Sequence, residues 1–221
     1  MEAKSKLTYT KMAAYLAAFF LIWTLREFFV RREAAQMLGA WPAALLGVVA
    51  KLLIWTLPAL LLERHYHTEM AVPALFGQPI RWERVLLCAA GLVAYNLLAS
   101  LLSNGGIRVH PQFQPVDLLG TVLFVGITEE MVFRGFLLNA LLGRMEEKWA
   151  LVISSALFVC IHFPIWYTSG LFATPVMLLR SCLTIFALGL LFGYSFCREK
   201  NLAVPILLHM AWNCAALVLF G

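Results

Sequence analysis

The segment Leu118-Leu119-Gly120-Thr121-Val122-Leu123-Phe124-Val125-Gly126-Ile127-Thr128-Glu129-Glu130-Met131-Val132-Phe133-Arg134-Gly135-Phe136-Leu137-Leu138-Asn139-Ala140-Leu141-Leu142 sets two adjacent carboxylates and a guanidinium in the middle of an otherwise apolar run. Its length suits a membrane span, for which about 20 largely apolar residues suffice. Charges at the centre of a span cost roughly 2.5 to 3.5 kcal/mol each on insertion scales, so Glu129, Glu130 and Arg134 define a candidate functional site. On a helix, Glu130 and Arg134 are four residues apart and share a face, with the acid N-terminal to the base as the favourable orientation requires. Glu129 is rotated by about 100° from its neighbour. The spacing therefore predicts an ion pair between Glu130 and Arg134, with Glu129 turned to a different surface. The alternative is a purely structural network of all three between helices.

Working outward, the composition matches that run. The chain has 221 residues, 62% hydrophobic and 13% charged, with mean hydropathy +0.83. The pattern predicts an all-α fold, a polytopic transmembrane helix bundle of about seven spans near residues 12–30, 38–62, 82–103, 115–141, 149–163, 172–196 and 202–220. No connection is long enough for a separate soluble domain. Residues 1–114 hold N-terminal transmembrane helices without a motif and 115–221 hold the charged span and its neighbours, the two forming one integral membrane unit. The net charge of +5 comes from residues placed between spans instead of in one block, which argues against nucleic acid as a partner. With the N-terminus cytoplasmic, Lys4, Lys6, Lys11, Arg64, Arg81, Arg84, Arg144, Lys148, Arg198 and Lys200 fall inside, while Arg31, Arg32, Arg108 and Arg26 fall outside, as the positive-inside rule expects. The first span has no small-residue cleavage site after it and is read as a retained helix. The five cysteines show no CxxC spacing and read as small buried apolar residues.

Other polar residues within the spans are few. Lys51 lies too far inside its span for easy snorkelling, so it is expected to face the bundle interior or a water-filled pocket. Arg180, also within a span, is expected to neutralise one of the glutamates, or else to meet a substrate carboxylate. Asn96 and Ser100 stand four apart as a stripe that joins helices. His65 and His67 do not share a helix face and belong to a polar loop, as do Glu146 and Glu147. Phe158 and His162 close the fifth span, which is expected to stop at Pro164. In the last span His209 and Asn213 are four apart and share a face, aimed either at a neighbouring helix or at a ligand.

Taken together, Glu129-Glu130-x-x-x-Arg134, Phe158-x-x-x-His162 and His209-x-x-x-Asn213 follow one another on three separate spans. In this the sequence resembles the CAAX-protease and bacteriocin-processing family of intramembrane proteases, which includes the type II CAAX prenyl endopeptidases and the lysostaphin-resistance-like (Abi) proteins of bacteria. All three family motifs are present without a departure, and the resemblance covers roughly residues 115–220. It implies an intramembrane endopeptidase acting on membrane-associated peptides or proteins, with membrane lipids as the other partner and a bacterial cytoplasmic membrane as the location. It also implies roles: Glu129 and His162 polarise a water, His209 and Asn213 donate hydrogen bonds to the oxyanion, and Glu130 with Arg134 supports Glu129. No cofactor is expected under that mechanism. A zinc form remains open, since Glu129, His162 and His209 make a His/His/Glu ligand set, although no HExxH helix is present. Two further readings are a proton-coupled transporter using the same ionisable groups, for which no internal repeat is found, and a non-catalytic immunity scaffold.

Overall fold

The computed structural model describes residues 6–30 and 36–220, so Lys4, Arg31 and Arg32 lie outside the described residues. Within them the chain forms helices joined by turns and irregular segments, with no strand. Seven long runs follow in order: α1 (Tyr9–Phe29), α2 (Ala40–His65), α3 (Trp82–Asn104), α4 (residues 115–142), α5 (Glu147–Thr168), α6 (Pro175–Glu199) and α7 (Ala203–Phe220). All except α4 are long and apolar enough to cross a membrane. Helix α4 is as long but carries Asp117, Glu129, Glu130 and Arg134. The protein is an integral, multi-pass helical bundle.

Local chemistry sets the helix ends. The Thr8 side chain accepts a hydrogen bond from the Lys11 amide and caps α1. Gly105 ends α3 with φ 66°, a left-handed residue at the C-cap. Helix α5 does not stop at Pro164 as the sequence suggested. It breaks at Ile161 and His162 and then continues through Phe163–Thr168, because proline without an amide hydrogen is tolerated in a first turn.

Helix α4 is the axis of the bundle, with every residue from Thr128 to Leu141 buried. Its charges therefore meet protein and not lipid. The helix is also locally widened. The amides of Val125 and Asn139 reach carbonyls five residues back, at Gly120 and Arg134, so that Leu118–Phe124 and Met131–Leu138 are π-type turns on either side of Val125–Glu130. In α2, Leu52–Thr56 is widened in the same way. Such turns occur frequently at functional sites, where they shift the register of the side chains that follow.

Small residues bring the partners of α4 close. A Cβ on Gly126 would lie 2.9 Å from Met210, and one on Gly189 would lie 2.9 Å from the Ser155 Cβ, so α7 rests on α4 and α6 on α5 at backbone distance. Asn96 and Ser100 are buried on α3, as expected of a packing stripe, but their hydrogen bonds do not cross to another helix. Their side chains return to their own segment, at Leu92 O and Gly106 O.

The ends of the bundle differ. On one face Lys6, Lys11, Arg64, Arg81, Arg84, Arg144, Lys148, Arg198 and Lys200 gather at or near the helix termini, and we call this the basic face. It is closed by the segment between α2 and α3. Arg144 pairs with Glu69 at 2.6 Å and bonds to Leu7 O, while Arg81 pairs with Glu199 at 2.8 Å. Met70, Val72 and Leu75 of that segment are buried. Asn139 of α4 holds the segment by both ends of its carboxamide, accepting from Val72 N–H at 2.7 Å and donating to Val72 O at 2.8 Å.

Asn139→Ala leaves both Val72 groups buried without their partner, a cost of about 1–3 kcal/mol for each orphaned group. The expected outcome is a lowered unfolding temperature in detergent, with Asn139→Asp in between because it retains the acceptor.

Candidate active site

The two glutamates take different environments. Glu130 is fully buried and its Oε1 accepts from Arg134 Nη1 at 2.8 Å. Arg134 is equally buried, donates through Nη2 to the carbonyl of Gly189 at 3.0 Å, and lies over the Phe158 ring at 4.4 Å. One guanidinium thus ties α4 to α5 and α6. Glu129 sits one position earlier and borders a cavity of about 580 Å³, which Glu130 does not reach. Its Oε2 is buried and has no hydrogen-bond partner among the described residues.

The two histidines are held by different means. His162 falls at the break in α5. Its amide bonds to Val159 O, one residue short of the helical partner, which leaves the carbonyl of Phe158 to accept from the His162 ring at Nδ1, 2.9 Å away. A carbonyl only accepts, so Nδ1 carries the hydrogen and Nε2 presents a lone pair in the neutral ring. The carbonyl of Ile161 at the same break accepts from Trp23 Nε1 of α1 at 2.9 Å. His209 of α7 points Nδ1 at Glu130 Oε1, 2.8 Å away, and Nε2 toward Glu129 Oε2 at 3.9 Å. Phe192 stacks on the His209 ring at 5.0 Å and Phe158 meets it edge-on at 5.9 Å. Asn213, one turn further along α7, donates from Nδ2 to the carbonyl of Thr121 at 3.0 Å, within the widened turn of α4. Its second Nδ2 hydrogen is left for another acceptor.

Glu129, His162, His209 and Asn213 all border the one cavity, while Glu130 and Arg134 stand behind it. Residues 111–215 match the model of the family described as Type II CAAX prenyl endopeptidase Rce1-like. Over these residues, just under half of its length, the chain is similar to that family. The Rce1-like segment contains all three motifs, and its family is one of membrane-embedded proteases. Neither a curated protein nor a solved structure matches the chain.

Three placements differ from the sequence reading. The cavity is not lined by the three motif-bearing helices alone, since Trp23, Arg26 and Glu27 of α1 and Lys51 of α2 also border it. These helices lie outside the Rce1-like segment, and only Lys51 was visible in sequence, as a cation too central to snorkel. Its Nζ lies 5.7 Å from both the Trp23 and Trp55 rings. Arg180 does not neutralise either glutamate. It is exposed beside Tyr95, Leu98 and Ser103, in a shallow hollow between α3 and α6. Thr121 was not singled out, because a backbone acceptor leaves no mark in a sequence. As for the alternative zinc set of Glu129, His162 and His209, no three His, Cys, Asp or Glu side chains among the described residues are grouped to hold a metal ion.

Removing one partner of a buried ion pair is expected to cost about 3–5 kcal/mol. Arg134→Met should therefore lower the unfolding temperature sharply. Arg134→Lys should recover little of it, because a single ammonium does not reproduce the fork that reaches both Glu130 and Gly189 O.

Proposed function

We propose that the protein is a metal-free intramembrane endopeptidase in which Glu129 is the general base. The observation that carries this reading is the place of Glu129 in the cavity wall, with its Oε2 free of hydrogen bonds and His162 bordering the same space. A water between them loses one proton to Glu129 and directs its other hydrogen to His162 Nε2 as it attacks the scissile carbonyl. The carbonyl oxygen becomes an oxyanion facing Asn213 Nδ2–H and His209 Nε2–H. Glu129 then returns the proton to the leaving amine, and the peptide bond is hydrolysed with one water consumed.

The geometry adds a requirement for His209. Its Nδ1–H is committed to Glu130, so Nε2 donates only when the ring carries both hydrogens. Glu130, shared with Arg134, supplies the negative charge beside that imidazolium. The substrate is a membrane-associated peptide or protein, prenylated or not, and the location is a bacterial cytoplasmic membrane.

The test is cleavage of a fluorogenic peptide library by detergent-purified protein. Glu129→Ala and His162→Ala should each lower turnover by about 10²–10⁴-fold, the range of a positioned base. Asn213→Ala should lower it by about 10²–10³-fold, as expected for one oxyanion donor. Wild-type activity should survive a strong zinc chelator. Loss with chelator and recovery with zinc would instead make Glu129, His162 and His209 metal ligands.

A further inference from the structure

The catalytic cavity reaches one end of the bundle, as the helix termini among its lining residues show. Val30 at the end of α1, Ala40 at the start of α2, and Gln114 and Asp117 at the start of α4 all border the cavity. Each belongs to the face opposite the basic one. Gln114 is exposed there. None of the described helix termini of the basic face borders the cavity. The segment between α2 and α3 covers that face, with Met70, Val72 and Leu75 buried, the Asn139 carboxamide locked on Val72, and Arg144 bonded to both Glu69 and Leu7.

The charge distribution orients these two faces. Nine described Lys and Arg residues sit at the basic face, against Arg26, Arg108 and Arg180 toward the other. The positive-inside rule places the first group in the cytoplasm. We propose that the site is served from the extracytoplasmic face, so that its substrate is a peptide segment lying on the outer side of the membrane. The direction of access rests on geometry and charge, and only the word substrate rests on the endopeptidase reading above.

Two consequences follow. Glu129 lies about 20 Å along α4 from Pro115, at the helical rise per residue, and an extended peptide covers that distance in about six residues. The scissile segment must therefore enter unfolded. A translocation step must also come first, because the bond to be cut has to cross the bilayer before it meets Glu129, and the released fragment leaves on the outer side.

The experiment uses the full-length protein in intact cells with a membrane-impermeant maleimide, each signal expressed relative to the same variant labelled in detergent and the unsubstituted protein serving as background. Gln114→Cys should label in intact cells, and Lys148→Cys on the basic face should label only after permeabilisation. The reverse pattern would overturn the proposal. So would a Gln114→Cys that stays unlabelled in detergent, which would show a closed mouth. In purified protein, a bulky maleimide adduct at Gln114→Cys should reduce peptide cleavage at least tenfold, while the same adduct at Lys148→Cys leaves it unchanged. Equal effects at the two positions would contradict access from one end. Because labelling requires no catalysis, a failure of the protease reading would leave the cell experiment intact and appear only as absent cleavage in the unlabelled protein.

Discussion

The buried ion pair between Glu130 and Arg134 is the constraint on which the rest depends. Both groups are fully removed from solvent, where an unpaired charge costs several kcal/mol. Each therefore has to be satisfied by what surrounds it. Arg134 extends the pair to the Gly189 carbonyl on α6 and to the Phe158 face on α5. Glu130 extends it to His209 on α7. Four helices are fixed in register by one pair, and the side chains of the candidate site are carried on three of them. The close approaches at Gly126 and Gly189 are what bring the partner helices within reach.

Against this held pair, Glu129 differs in facing the cavity. It is as much a part of α4, yet one of its oxygens has no partner and borders the cavity. Glu130 Oε2 and Arg134 Nε are also buried without a hydrogen bond, but neither residue borders the cavity, so only at Glu129 does an unsatisfied carboxylate oxygen lie on a side chain that lines it. Such exceptions are expected at functional sites, where the cost is met by the structure around them. The widened turns before and after Val125–Glu130 belong to the same economy, since they set the direction in which these side chains project.

Much of this was legible in the sequence. The bundle followed from seven apolar runs, and the Glu130–Arg134 pair from a spacing of four. The candidate side chains followed from three short motifs, and the match of residues 111–215 to the Rce1-like family agrees with them. What could not be read were features that live in the backbone. The break at His162 looked like a helix end because proline so often marks one, and the Thr121 carbonyl that holds Asn213 has no side-chain signature. Nor did apolarity show which spans face the site. Helices α1 and α2 look like any others in composition, yet Trp23 closes the α5 break and Lys51 borders the cavity. Arg180 shows the converse, for a charge within a span can lie outside the bundle, at its surface near a helix end.

The central claim is that two adjacent carboxylates of one helix have separate duties, one structural and one open to chemistry. Thermal unfolding of Glu129→Gln and Glu130→Gln in the same detergent tests it most directly. The account predicts that Glu129→Gln is as stable as the wild type or more so, because it removes an unpartnered buried oxygen's charge, whereas Glu130→Gln unfolds at a markedly lower temperature with Arg134 and His209 left unpaired. Equal losses of stability in the two variants would contradict it and make the glutamates members of one structural network.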